Sequence, residues 1–240
     1  MTHIHNKKRF KVQGPRSKVQ GSRKNKNVIP AKAGIQERKM KANEKILIII
    51  GSAPCCADDI VAFSSMYQGA LPLYSYGDNP VACDWMLIGL DSVEKIPWPA
   101  QYFATYHTSD IEPAFERRKA AGGNTDYMII AHQQHIEKPT GRELVDLIIP
   151  CEPPSGSSAL LGVLAGIKLG YEKIIVCGCP LMGKNDKQYD YANFRAGWTA
   201  KLAMIKDKTR SMSGWTQELL GAPTEEWINN VIPAKAGIQK

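Results

Sequence analysis

Two hundred and forty residues suffice for one ordinary α/β domain or two small ones, so the chain is long enough to build its core without disulfide bonds. The formal charge of +8 divides unevenly: residues 1–44 carry 13 Lys and Arg against two acids, a net of +11, and residues 45–240 carry 18 against 21, a net of −3. The basicity belongs to the amino-terminal tail, and the remainder has no general attraction for polyanions, which speaks against a nucleic-acid partner.

The tail repeats itself. Val28-Ile29-Pro30-Ala31-Lys32-Ala33-Gly34-Ile35-Gln36 recurs as Val231 to Gln239, preceded by Asn both times, and Lys11 to Ser17 has a near copy in Lys18 to Lys24. A unit so short, carrying Pro and Gly and recurring after about 200 residues, is no solenoid repeat. A DNA segment with inverted complementary ends can encode it, which suggests translated intergenic repeat DNA. Low hydrophobicity with high charge predicts disorder for residues 1–39. Two readings stand, a basic nucleic-acid arm and a non-functional extension before a start at Met40; the repetition favours the second. The expected organisation is a basic tail at 1–39, a nucleotide-binding domain at 40–210, a helical segment at 211–229 and a repeat-derived tail at 230–240.

From Met40 the pattern changes. Lys45 to Ile50 is a continuous β-branched run of the kind buried on both faces of a parallel sheet, and it ends in Gly51-Ser52-Ala53-Pro54. Cys56 to Tyr67 then predicts a helix with Asp58 and Asp59 in its first turn, where acids suit the helix dipole. Further strands are predicted at Trp85–Leu90, Tyr102–Tyr106, Tyr127–Ala131, Val145–Ile149 and Lys173–Cys177, and helices at Pro113–Ala121 and Ser157–Leu169. This alternation predicts an α/β, Rossmann-like three-layer domain with a mostly parallel sheet of about six strands, whose ligands sit at the carboxyl ends of the strands.

Two loops at those ends attract attention. Gly51-Ser52-Ala53-Pro54 fits neither a dinucleotide fingerprint nor a Walker A loop, so a plain turn and a phosphate-approaching loop are both open. Pro153-Pro154-Ser155-Gly156-Ser157-Ser158 offers hydroxyls and backbone N–H groups at a helix start, either as a helix cap or as ligands for an anion. The two loops are expected to face each other across the crevice, which favours ligand binding.

Gly51-Ser52-Ala53-Pro54, the serine-rich turn and Leu169-Gly170-Tyr171-Glu172-Lys173-Ile174-Ile175-Val176-Cys177-Gly178 together resemble bacterial sialyltransferases that use CMP-sialic acid. They also resemble the related 6-hydroxymethylpterin diphosphokinase-like proteins and motility accessory factors. The resemblance covers residues 45 to 183 loosely. It implies that Gly51, Ser52, Pro54, Ser157 and Ser158 hold a nucleotide, with Gly156 and Gly178 in the same loops and Asp91 where the family uses Asn. Where the family's last strand ends in Gly-Asp or Gly-x-Asp, this chain reads Gly178-Cys179-Pro180, and it has no histidine beyond that strand to serve as the family's base.

The other histidines past strand ends are His107, His132 and His135. Imidazole suits a general base near pH 7. His107 is the candidate catalytic base, while His132 and His135 are expected to be solvated loop residues. Five cysteines, Cys55, Cys56, Cys151, Cys177 and Cys179, also fall near strand ends. Their spacing matches no familiar zinc site, and they are read as reduced, buried thiols of a cytoplasmic protein. Aromatic residues beyond Met182, among them Tyr189, Tyr191, Phe194, Trp198, Trp215 and Trp227, suit a substrate lid or a docked carboxyl-terminal helix equally.

The expected function is a nucleotide-binding transferase, a glycosyltransferase taking its sugar from an activated nucleotide, with no tightly bound cofactor, no metal site, a small-molecule nucleotide partner and an unspecified acceptor. No apolar run approaches the ~20 residues of a membrane span. The alternatives are a Mg²⁺-dependent pyrophosphokinase acting on a pterin-like alcohol and a degenerate, non-catalytic domain of phage origin.

Overall fold

The apolar run expected to open the sheet does so: Ile46–Ile50 forms strand β1, with all five side chains buried. The structure is a computed structural model that describes residues 46–66, 83–133, 144–150, 155–182 and 191–229. The two tails, Lys45, Tyr67, His135, Cys151, Pro153, Pro154 and Tyr189 lie outside the described residues.

After β1 come α1 (Cys56–Met66), β2 (Cys83–Ile88), β3 (Tyr102–Thr105), α2 (Ile111–Ala120), β4 (Met128–His132), β5 (Leu147–Ile149), α3 (Ser158–Lys168) and β6 (Lys173–Cys177). The chain closes with α4 (Ala192–Ile205), β7 (Thr209–Ser211), α5 (Gly214–Leu220) and α6 (Glu225–Asn229). The strands form one sheet in the order β5-β4-β3-β2-β1-β6-β7, and every neighbouring pair is parallel. The expected α/β class is observed, with seven strands among the described residues instead of about six. The extra strand reads Thr209-Arg210-Ser211, short and polar, and it is held at the sheet edge by pairing with Ile174–Val176.

Strand alternation divides the core into two layers. Leu47, Ile49, Met86, Tyr102, Tyr106 and Ile174 pack beneath α3, α4 and α5, joined by Trp198, Ile205 and Leu220. Ile48, Ile50, Trp85, Phe103, Ile175 and Cys177 pack beneath α1 and α2, joined by Ile228 of α6. Residues 211–229 thus contribute to both layers of the sheet. Helix α3 crosses close to the strands because Gly162 and Gly166 have no side chain: a methyl at Gly166 would stand 2.6 Å from Leu47 Cδ2.

The carboxyl-terminal aromatics dock helices. Trp198 is fully buried between α4 and α3. Trp227 lies under two cations, with Lys173 Nζ 5.3 Å and the Arg210 guanidinium 4.8 Å from its ring centre, and Lys173 also donates to the carbonyls of Trp227 and Ile228. Burial pulls the Lys173 ammonium below its ordinary pKa.

At the amino-terminal end of the sheet, Tyr171 Oη donates to the buried Asp84 carboxylate, and Tyr102 Oη lies 2.9 Å from Tyr171 Oη. Desolvation raises the pKa of Tyr102 and Tyr171, and it pushes Tyr127, stacked on Phe115, up to about 12. These phenols stay neutral in the folded protein to a higher pH than in the unfolded chain, where phenols titrate near ~10. Their stabilising contribution is therefore intact below that pH and is lost as pH rises from there through the folded-state values. The melting temperature is expected to hold level through pH 9 and to fall progressively above pH ~10, with phenolate absorbance from these residues emerging only with unfolding. A melting temperature unchanged at pH 12 would contradict this.

Candidate functional site

The general rule for open parallel sheets directs attention to the point where strand order reverses, here between β1 and β6. That crevice is filled by protein. Gly51 N–H donates to Cys177 O at 2.8 Å and Ala53 N–H to Gly178 O at 3.1 Å. A methyl on Gly51 would lie 2.2 Å from the Gly178 carbonyl oxygen, and one on Gly178, whose φ is +67°, would lie 2.6 Å from Cys56 Cβ. The buried carboxylate of Asp59, in the first turn of α1, accepts from Gly178 N–H at 2.7 Å and Ser213 Oγ at 2.8 Å. A carboxylate in that place opposes a phosphate at the start of α1. Gly51 and Gly178 are thus packing glycines of the reversal point, while Ser52 and Pro54 are exposed beside them.

Cys55, Cys56, Cys177 and Cys179 are part of this packing, while Cys83 lies at the opposite end of the sheet beside Ile46. Cys55, Cys56, Cys83, Cys177 and Cys179 are free. Desolvation raises Cys55, pushes Cys56 up to about 12 and holds Cys177 and Cys179 well above the ordinary thiol value. Protonated thiols are poor nucleophiles and poor metal ligands at neutral pH. Among the described residues, no three His, Cys, Asp or Glu side chains converge as a metal-binding group.

A second cluster forms one and two strands away, at the ends of β2 and β3, where α3 begins. Ser157 is the N-cap: its Oγ accepts from Leu160 N–H at 3.2 Å and also from Trp198 Nε1 at 3.2 Å. Capping satisfies one of the four amides that a helix start leaves open, and Leu161 N–H reaches Ser157 O. By helix geometry the Ser158 and Ala159 amides point out of the same end. Gly156, with φ +73°, permits the turn and leaves room for Phe194, since a methyl there would lie 3.0 Å from the Phe194 ring.

Ser158, half-buried, joins the helix to the sheet: its Oγ accepts from Tyr106 N–H at 3.2 Å and lies on the side where Gly89 carries no side chain. His107 follows Tyr106 directly, in an extended conformation and exposed. Its N–H donates to Thr105 Oγ1 at 3.1 Å, and Thr105 Oγ1 donates to Asp110 Oδ2 at 3.2 Å. The structure therefore places Gly156, Ser157, Ser158 and the backbone of His107 along one stretch of the sheet's carboxyl edge and Gly51 and Gly178 at the reversal point, with β1 and β2 adjacent between them. Asp91 stands apart on the surface, paired with Arg117 at 3.0 Å, as is Glu94 at 2.9 Å.

Two features were not foreseen. His132, expected in a solvated loop, is the last residue of β4 and is 1% exposed, with its ring stacked on Tyr106 at 4.2 Å and 12°. Beyond β6, Leu181 takes φ +46°, uncommon for a branched residue, and Arg195 holds its carbonyl with Nε at 3.1 Å and Nη2 at 2.6 Å while lying 5.6 Å from the Trp215 ring.

The fold and this edge describe a doubly wound parallel α/β protein. No protein-family model matches the chain, and no curated protein matches it in sequence. Among solved structures it is similar to the sialyltransferase CST-II in complex with CMP, at a TM-score of 0.43 and 11% identity over 76% of this chain and 87% of that one. No helix among the described residues is long and apolar enough to cross a membrane.

Proposed function

We propose that the chain binds a nucleotide at the mouth formed by the start of α3 and the ends of β2 and β3, and transfers a glycosyl group from a nucleotide-activated sugar to a hydroxyl acceptor. The observation that carries this reading is the tie between Ser158 Oγ and Tyr106 N–H. It sets the positive end of an 11-residue helix against the carboxyl edge of the sheet, a placement suited to phosphate. In this reading the Ser158 hydroxyl and the amides of Ser158 and Ala159 receive the phosphate, and Gly156, through its left-handed backbone, shapes the turn that presents them. Ser157 holds the helix start in place, Ser52 and Pro54 border the nucleotide from β1, and Gly51 and Gly178 keep the β1 and β6 ends closed on each other. Asp91, paired with Arg117 on the surface, takes no part in this reading.

His107 is the proposed base. As the acceptor oxygen forms its bond to the anomeric carbon, His107 takes the acceptor's proton, and the nucleotide phosphate leaves with the electron pair of the broken C–O bond. General-base assistance of this kind is typically worth ~10²–10⁴ in rate.

Thermal melts with CMP, UDP, GDP and ATP, each with and without Mg²⁺, test the reading. At a hundredfold excess over Kd a bound nucleotide adds about 2.7 kcal/mol, a rise of several degrees for a domain of this size. We expect at least one nucleotide to do so without Mg²⁺. Ser158→Ala should weaken that binding by about 1–3 kcal/mol, whereas Ser157→Ala should act mainly on stability through the lost cap. His107→Gln should abolish transfer with affinity nearly intact. No shift with any nucleotide would refute the proposal, and a shift that requires Mg²⁺ would favour pyrophosphoryl transfer instead.

A further inference from the structure

Beside this mouth lies a buried pair that the proposed transfer does not use. In the β3–β4 register Thr105 is opposite Ala131, so Tyr106 and His132 are the next neighbours, just past the last pair. Both are dry, at 3% and 1% exposure. Their rings are nearly parallel at 4.2 Å, and Tyr106 Oη is 3.3 Å from His132 Nε2. An apolar side chain could fill the end of Met128-Ile129-Ile130-Ala131 equally well. What imidazole adds is a ring nitrogen within hydrogen-bond reach of the buried phenol. The contact works in either tautomer, with the phenol donating to bare Nε2 or accepting from Nε2–H.

Tyr106 leads directly to the mouth. Its side chain packs in the layer beneath α3, its N–H is bonded to Ser158 Oγ, and the next residue is His107. A change in the ring's position therefore reaches both the helix start and the proposed base through one residue.

We infer that His132 is a positioning residue that clamps Tyr106 and thereby fixes His107 and Ser158 around the bound nucleotide. This role rests on the nucleotide-binding reading of the mouth. In this reading His132 touches no ligand and acts through Tyr106.

The test uses the full chain with His132→Phe, which keeps a flat ring without nitrogen, His132→Gln, which keeps a polar group within reach of the phenol, Tyr106→Phe, and the double variant His132→Phe with Tyr106→Phe. The first measurement needs no ligand: amide hydrogen exchange at Tyr106, whose N–H is held by Ser158 Oγ. We expect exchange at this amide to quicken about tenfold or more in His132→Phe and in Tyr106→Phe, no further in the double variant, and to return most of the way to wild type in His132→Gln. The second measurement is the affinity for whichever of the four nucleotides stabilises the wild type, expected to weaken about tenfold in His132→Phe and in Tyr106→Phe, no more in the double, and to stay near wild type in His132→Gln.

Wild-type exchange at Tyr106 in His132→Phe, or losses that add in the double variant, would overturn the clamp. If His132→Phe does not fold, Tyr106→Phe makes the same comparison from the other side of the contact, with His132→Gln as the variant that keeps it. If the wild type binds none of the four nucleotides, the functional reading fails while the exchange result still decides whether His132 holds Tyr106.

Discussion

Replacing Arg118 with Met is expected to cost about 3–5 kcal/mol of stability, the range of a broken buried polar network, and to lower the melting temperature by roughly 10 °C for a domain of this size. The guanidinium is fully buried. Its Nη1 donates to Val93 O at 2.9 Å and to Ile96 O, and its Nη2 donates to Trp98 O at 2.6 Å. One side chain on α2 therefore gathers the carbonyls of the segment joining β2 to β3. Asn124 completes the cradle by clasping Ala100, accepting from its N–H and donating to its O, both at 2.8 Å. Met fills much of the volume but leaves three carbonyls without these donors. Lys retains the charge yet lacks the planar fork, so Arg118→Lys should recover only part of the loss. A melt within 2 °C of wild type for the Met variant would show that the segment finds other donors.

Asp59→Ala should cost a similar amount, about 3–5 kcal/mol, because it leaves the Gly178 N–H buried without its acceptor and frees Ser213 at the same time. Asp59→Asn preserves shape and one acceptor oxygen but gives up the charge-assisted strength of the bonds, so it should fall between Ala and wild type. The carboxylate links α1, the end of β6 and the residue before α5. Loss of Asp59 is therefore expected to raise the reactivity of Cys56 and Cys179 toward alkylating reagents along with the drop in stability. An Ala variant with wild-type melting and unlabelled thiols would mean that the closure of β1 on β6 does not depend on this residue.

How much the sequence disclosed follows from where each signal lay. Strand β6 was legible at its true bounds, and β1 and α3 within a residue, because their residues are apolar in unbroken runs or at helical spacing. Strand β2 begins at Cys83, two residues before Trp85, since a buried Asp84, bonded to Tyr171 far along the chain, breaks the apolar pattern. Strand β7 was illegible: Thr209 and Ser211 are buried although polar, and Ser211 Oγ meets Thr216 Oγ1 at 2.8 Å. Helix α4 buries only Gly197, Trp198 and Ile205, too sparse a stripe to declare a periodicity. At the candidate site, the hydroxyl-rich start of α3 and a histidine after β3 were readable from local order. The stacking of His132 on Tyr106 was not, because it depends on strand register, and neither was the span of Asp59 to Gly178 across 119 positions.

The sheet ends on both sides in strands of only three residues, β5 and β7, and parts of their backbone are already engaged. Ser211 N–H donates to Gly221 O, Arg210 covers the carbonyls of Lys206 and Thr209, and Lys168 reaches Ile148 O. A hydrophobic parallel sheet is a template on which further chains can polymerise if its border is long and bare. Among the described residues each border is a three-residue strand with part of its backbone engaged, so the free ladder it offers is short. Strands this short make a weak template for another chain, although the sheet between them is strongly apolar.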